Sequence, residues 1–297
     1  MTRKSNEERL GLSPGAKGTA DAPAAYAEQE NHSSGLSYVA PTHLIELPSQ
    51  GKYYPLDHPL HNIKEIEIKE MTAKEEDILT SQSFIKKGVV FDRLLTSLII
   101  DRRVRLEDLL IGDKNALLIG ARINGYGADY QVGVACEMCN STEQVTFDLA
   151  ACPHKPPLDL STIEEPEYAE AISEGESPGI FYVLLPKSGV TLGIRLLTGK
   201  DEKRTTAAEE MRKKQKLPEA SLTHHFKTII VSANGSTEAS DIRDFVEVMP
   251  ALDSKFLRKA FLKITPNVEM RQEFVCENCD YEQEVEVPFT STFFWPE

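Results

Sequence analysis

Short stretches in which apolar and polar residues alternate give way to stretches in which apolar residues recur every three or four positions, and the chain runs through this succession twice. In the first pass Leu47, Pro48 and Gly51 form an L-P-x-x-G turn, after which Ile66 and Ile68 alternate as in a half-buried strand. Thr72-Ala73-Lys74-Glu75 then has the form of a capping box, in which the hydroxyl accepts from an orphan backbone N–H and the carboxylate reaches back. Phe91, Leu94, Leu95 and Leu98 lie on one helical face. Asp113 reads as an N-cap before a further helix whose apolar face includes Leu117 and Ala121. In the second pass Leu185, Pro186 and Gly189 repeat the turn, Leu192 and Ile194 the strand, and Thr198-Gly199-Lys200-Asp201 the capping box. Phe226, Ile229, Ile230 and Ala233 repeat the helical face 135 positions after the first; Asp253, followed by Leu257, Phe261 and Ile264, repeats the N-cap 140 positions on.

The common order predicts an α+β protein of two tandem pseudo-repeats, each ending in a β-hairpin whose C-x-x-C pair, Cys136 and Cys139 or Cys276 and Cys279, has the form of a zinc knuckle. The first spans residues 43–150 and the second 180–297. Residues 1–42, dominated by Ala, Gly, Ser, Glu and Asn with few large apolar residues, read as a disordered N-terminal tail. Residues 151–179, rich in Pro and Glu, read as an extended linker with a short helix at Tyr168–Ser173. The two passes differ in one place. Lys203–Lys216 is charged nearly all round where the first pass carries Ile78, Leu79, Phe84 and Ile85. A helix polar on every side bridges solvent or receives a partner, and a solvated extension is the simpler reading.

Composition narrows the function. Lys and Arg number 33 against 47 Asp and Glu, a net charge of −14, so the surface repels nucleic acid and acidic lipid. Hydrophobic residues at 40% and charged residues at 27% are ordinary for a soluble globular chain. No apolar run approaches the roughly 18 residues of a membrane span, and Met1–Leu12 lacks the apolar core of a secretory signal.

Five cysteines do not make a disulfide scaffold, but four of them form Cys136-x-x-Cys139 and Cys276-x-x-Cys279, again 140 positions apart. Tyr130, Val132 and Val134 alternate before the first pair, and Val145, Phe147 and Leu149 after it. Phe274 precedes the second pair, and Val285, Val287 and Phe289 follow. This is the layout of a zinc ribbon. Zn²⁺ takes four soft ligands in a tetrahedron, and two thiolates from each of two facing knuckles provide them. The 136 residues between Cys139 and Cys276 exceed any local ribbon, and a pseudo-twofold pairing of the repeats removes that objection. The expected ligands of one structural Zn²⁺ are therefore Cys136, Cys139, Cys276 and Cys279. Free thiols, or a disulfide within each pair, are the alternatives. Redox catalysis would want an electropositive setting, and Glu137 and Glu277 flank the motifs instead. Cys152 and His154 read as ordinary linker residues.

Four thiolates close the coordination shell, whereas a catalytic zinc keeps one position open. No H-E-x-x-H, G-x-S-x-G, P-loop or dinucleotide fingerprint is present. His58-Pro59-Leu60-His61, preceded by Tyr53-Tyr54-Pro55, reads as a surface turn. The chain is thus read as a non-enzyme. Its end, Phe293-Phe294-Trp295-Pro296-Glu297, is unusually aromatic for a terminus and either returns to the core or anchors in another subunit.

Taken together, several motifs resemble one family. They are Leu47-Pro48-Ser49-x-Gly51 with Tyr54-Pro55, Met71-Thr72 followed by Glu75-Glu76 and Ile78-Leu79, Gly112-Asp113, Tyr126-Gly127, a C-x-x-C followed by Asp148-Leu149, and the terminal Phe-Phe-Trp-Pro. They resemble the baseplate hub subunit family of T-even-like contractile-tailed bacteriophages, over residues 43–150 and at the C-terminus. The resemblance implies a structural or assembly component of the tail baseplate without known catalysis. It implies a location in the virion, after assembly in the host cytoplasm, and neighbouring tail and baseplate proteins as partners. A homo-oligomer within the baseplate is compatible with it; nucleic acid and membrane partners are not expected. The zinc site and the second repeat rest on this sequence alone. Two other functions fit the residues. One is an assembly chaperone that binds hub components and leaves. The other is a zinc-ribbon nucleic-acid binder, which wants a basic face where the knuckles carry Glu137, Glu143, Glu277, Asp280 and Glu282.

Overall fold

Alternation at Thr42–Glu46 and at Glu65–Lys69 builds strands β1 and β2, an antiparallel pair with Ile45 opposite Ile66 and the buried Ile66 and Ile68 turned inward. The computed structural model describes residues 41–215, 221–287 and 293–294. The expected tail lies outside these residues apart from Pro41 and Thr42, and Thr42 already opens β1. Thr72 caps α1 (Ala73–Thr80), which leads into α2 (Gln82–Lys86) and α3 (Val90–Leu98). Then come α4 (Ile111–Tyr126) and the hairpin of β3 (Asp129–Ala135) and β4 (Thr142–Asp148).

The second half also sets an antiparallel strand pair before a capped helix and ends in a hairpin. Strands β7 (Ile180–Leu184) and β8 (Thr191–Arg195) pair across the second L-P-x-x-G turn, with Val183 opposite Leu192. Thr198 caps α6 (Gly199–Lys214), followed by α7 (Ser221–Ile229), β9 (Ile230–Ala233), α8 (Ala239–Val248) and α9 (Ala251–Ile264). Beyond the two-residue strand β10 (Asn267–Val268), β11 (Arg271–Val275) and β12 (Glu282–Glu286) form the last described hairpin. The architecture is mixed α+β with small antiparallel sheets.

Both capping boxes form. The backbone N–H and hydroxyl of Thr72 donate to Glu75 at 3.1 and 2.6 Å, and those of Thr198 donate to Asp201 at 3.0 and 3.1 Å. Each carboxylate also takes a cation from the preceding strand. Lys69 Nζ lies 2.7 Å from Glu75, and Arg195 grips Asp201 with two nitrogens at 2.6 and 2.7 Å.

Three expectations change. The helix expected to carry Phe226, Ile229, Ile230 and Ala233 ends at Ile229, and Ile230–Ala233 are strand β9, paired with β8. Ile230 and Val231 are β-branched and suit a pleated edge better than a helix turn. Ile194 pairs with Ile230 as Ile68 bridges to Ile99. Phe226 thus lies four residues before Ile230, as Leu95 lies four before Ile99, which departs from the expected offset of 135. Asp113 and Asp253 are not N-caps but sit at the third position inside α4 and α9, fully buried. There they clasp the L-P-x-x-G loops. Asp113 accepts from Ser49 N (2.9 Å), Ser49 Oγ (2.5 Å) and Tyr54 OH (2.7 Å), and Asp253 from Lys187 N (2.8 Å) and Ser188 N (2.9 Å). Gly51 and Gly189 turn both loops at φ +71° and +67°, a conformation that costs glycine no Cβ clash.

The third change concerns residues 151–179, expected as an extended linker. They are woven into the fold. β5 (His154–Lys155) pairs with β10, α5 (Pro166–Ala171) stacks Tyr168 on Phe256 at 4.5 Å, and β6 (Ile172–Glu174) extends a four-stranded sheet in the order β6-β7-β8-β9. Pro166 at the first helical position starts the short helix two residues earlier than expected. Direct hydrogen bonds also tie the halves, from Ile111 N to Leu197 O at 3.1 Å and from Gly199 N to Leu109 O at 2.9 Å.

At the chain end, Phe293 and Phe294 are buried. Phe293 meets Tyr130 edge-on at 5.2 Å, and Phe294 lies 5.5 Å from Phe91. The core alternative holds for these two rings; Trp295, Pro296 and Glu297 lie outside the described residues. No described helix is long and apolar enough to cross a membrane.

Candidate metal centre

The cysteines sit at the tips of the β3–β4 and β11–β12 hairpins, and the two tips are built by the same hydrogen bonds. Cys136 N–H donates to Ser141 O (2.9 Å) and Asn140 N–H to Cys136 O (2.9 Å). In the other tip Cys276 N–H donates to Tyr281 O (3.0 Å) and Asp280 N–H to Cys276 O (2.9 Å). The last residue of each tip takes positive φ, +56° at Asn140 and +55° at Asp280. Asn and Asp tolerate this conformation better than other side-chain-bearing residues.

The tips face each other reciprocally. Cys136 Sγ lies 3.7 Å from Cys279 Sγ, and Cys139 Sγ lies 3.6 Å from Cys276 Sγ. Glu137 N–H donates to Gln283 Oε1, and Glu277 N–H donates to Glu143 Oε2, both at 3.0 Å. All four sulfurs fall within 4.8 Å of one another. A tetrahedron of Zn–S bonds of about 2.3 Å has sulfur–sulfur edges of about 3.8 Å, so the spacing fits a metal thiolate centre. It does not fit a disulfide, whose sulfurs bond at about 2.05 Å, and all five cysteines are free.

The chemistry of the set points the same way. Hydrogen bonds from Ser141 Oγ and Asn278 Nδ2 pull the Cys139 thiol down to about 5. The Tyr281 amide would lower the Cys279 thiol, but partial desolvation and the three neighbouring sulfurs outweigh it and hold the thiol up to about 12. Four packed sulfurs cannot all ionise against one another unless a cation sits among them. Cys136 and Cys276 are buried, Cys139 is half-buried and Cys279 is the outermost.

Other candidates from the sequence stand apart. Cys152 is buried with Gln272 Nε2 3.2 Å from its sulfur, outside the four-cysteine group, and His154 pairs in β5. His58 stacks on Tyr54 at 4.4 Å, and His61 Nδ1 lies 2.7 Å from Tyr54 O, so the H-P-L-H segment is a packed turn. Phe289, expected to follow the second tip, lies outside the described residues. Sequence reasoning missed the partners Glu143 and Gln283, which cap the opposite tips. Their equal spacing after Cys139 and Cys279 was the available signal.

A family model described as T4 bacteriophage base plate protein matches residues 40–295. The chain belongs to that family, and is a phage baseplate structural protein. No curated protein and no solved structure matches it.

Proposed function

We propose that the chain is a non-catalytic scaffold subunit of the hub region of the baseplate, and that one Zn²⁺ held by Cys136, Cys139, Cys276 and Cys279 fastens two duplicated halves together. The observation that carries the reading is the crossed arrangement of the two tips. Each contributes two sulfurs, and each receives a backbone N–H of the other on its own side chain, Glu143 or Gln283. When bound, the metal supplies four strong bonds and leaves no ligand position for water. The protein's own part is to hold the sulfurs at tetrahedral spacing through two identical turns. The halves, residues 43–150 and 180–297, are proposed copies of one unit, with residues 151–179 stitched between them. Partners are neighbouring tail proteins, met during assembly in the host cytoplasm and kept in the virion.

Metal analysis of protein purified under reducing conditions should give about one zinc per chain, and Cys276→Ser with Cys279→Ser should abolish it. A ratio near zero in the unaltered protein would refute the zinc reading. The hub assignment is tested by mass spectrometry and cryo-electron microscopy of purified particles. Density for this chain at the tail axis is expected. Its absence from finished particles would instead favour a departing assembly factor.

A further inference from the structure

Helices α4 and α9 hold corresponding places before the two hairpins, yet their outward faces differ. On α4 that face is Gly112, Asn115, Leu118, Ile119 and Arg122, and it is covered. A Cβ on Gly112 would stand 2.1 Å from Pro266 O, and Asn115 Nδ2 donates to Asn267 Oδ1 at 3.1 Å. Leu118, Ile119 and Arg122 are buried, with Arg122 Nε donating to Phe293 O at 2.6 Å. On α9 the residues 140 positions later are Leu252, Lys255, Arg258, Lys259 and Leu262, and all five are exposed, the leucines at 56% and 65%. Three cations lie between two leucines. Lys255 and Arg258 make no ion pair among the described residues, and Lys259 feels only Glu165.

The hairpins diverge in the complementary sense. Over the stretch that corresponds to β11–β12, the outward face of β3–β4 is Gln131, Gly133, Ala135, Thr142, Gln144 and Thr146, without a charge; beyond it the exposed Asp129 stands opposite Asp148. On β11–β12 the same places hold Arg271, Glu273, Val275, Glu282, Glu284 and Glu286. Glu273 stands directly opposite Glu284, a like-charge pairing that costs stability in an isolated sheet. Val275, opposite Glu282, is 55% exposed. The first half builds these six places with neutral residues, so a hairpin of this form does not require the charges that β11–β12 carries there.

We propose that the outward face of α9 in one chain docks on the outward face of the β11–β12 hairpin of a second copy. Lys255, Arg258 and Lys259 meet Glu273, Glu282, Glu284 and Glu286. Leu252 and Leu262 cover Val275, and the Glu273–Glu284 repulsion is relieved. A basic, leucine-edged face on a chain of net charge −14 finds its complement on that same chain. The two patches are different, so the contact is head-to-tail and closes into a ring if its rotation permits. The proposal draws on charge and exposure in the second half and does not depend on the hub assignment. Measuring bound zinc in every variant separates it from the metal reading.

Sedimentation velocity of the full chain tests it. Self-association at tens of micromolar is expected, weakened by raised salt. The triple variants Lys255→Glu/Arg258→Glu/Lys259→Glu and Glu282→Lys/Glu284→Lys/Glu286→Lys should each associate about tenfold more weakly or not at all. An equimolar mixture of the two should associate again, because each reversed face then meets its reversed partner. Where a triple variant fails to fold, Lys255→Gln and Glu284→Gln serve, each weakening association about two- to threefold. A monomeric unaltered chain, association unmoved by either reversal, or folded variants that do not rescue each other would overturn the proposal.

Discussion

In the first half Glu75, fully buried, holds Thr72 behind it and Lys69 in front; in the second Asp201 holds Thr198 and Arg195 in the same places. Asp113 pins one L-P-x-x-G loop to α4, and Asp253 pins the other to α9. The inner contacts of the two halves use like residues, while the outer ones share almost nothing. α4 is roofed by Pro266, Asn267 and Phe293, and the corresponding face of α9 is exposed. α1 and α2 bury Leu79, whereas α6 runs out charged and exposed beyond its first turn, tethered where Lys203 and Lys114 meet Asp92 at 3.2 and 2.7 Å. A buried carboxylate with several donors tolerates little change, since each orphaned partner costs about 1–3 kcal/mol. An outward face is constrained only by what covers it, so divergence collects there.

The sharpest break of this comparison is loss of the proposed metal. Chelation, Cys136→Ser or Cys276→Ser should each unhook both tips and remove on the order of 10 kcal/mol, read as a large fall in melting temperature. Equal falls for the two substitutions mark equal halves, and unchanged melting after chelation would rule out a structural role. Next in size is Phe293→Ala. It opens a cavity beside Tyr130 while leaving in place the backbone carbonyl that accepts from Arg122, a loss of about 3–5 kcal/mol by denaturant titration. This contact roofs α4, so the loss should appear first in exchange protection of α4 amides rather than those of α9.

Asp113→Ala orphans three donors and should cost about 3 kcal/mol, and Asp253→Ala, with two, about 2 kcal/mol. A reversed order would show that the loops are held by something other than these clasps. Comparable in size to the clasps is an acid limb. Burial alone would raise the Glu75 carboxyl, but the bonds from Lys69, Ser97 and Thr72 outweigh it and hold it near 2, below its ordinary 4.5. A depressed folded-state pKa adds stability that is complete above about pH 4.5 and is lost as pH falls toward 2, on the order of 2–3 kcal/mol. Glu75→Gln should abolish the decline that begins near pH 4.5. Asp201, also held below its ordinary 3.8 by Arg195 and Thr198 against the opposing effect of burial, should leave a decline that starts lower.

Local chemistry was legible along the chain. Thr72 with Glu75 and Thr198 with Asp201 announce helix starts because a capping box closes within four residues. The cysteine pairs announce a metal because two thiols three apart can face one ion. What depends on distant partners was not. Ile230 and Val231 continue a helical spacing as well as a strand's, and only pairing with Ile194 decides for β9. Asp113 and Asp253 carry the signature of a cap, but their donors arrive from loops 59 to 66 residues upstream. Sequence by itself thus determined the two capping boxes and the two cysteine pairs, since each is written in residues within a turn of one another. The tertiary structure alone decided that the tips meet, that Phe293 and Phe294 close over the first half, and that α9 keeps its cationic face open. Burial is set by which surfaces the folded chain brings together, and a linear pattern holds no record of that distance.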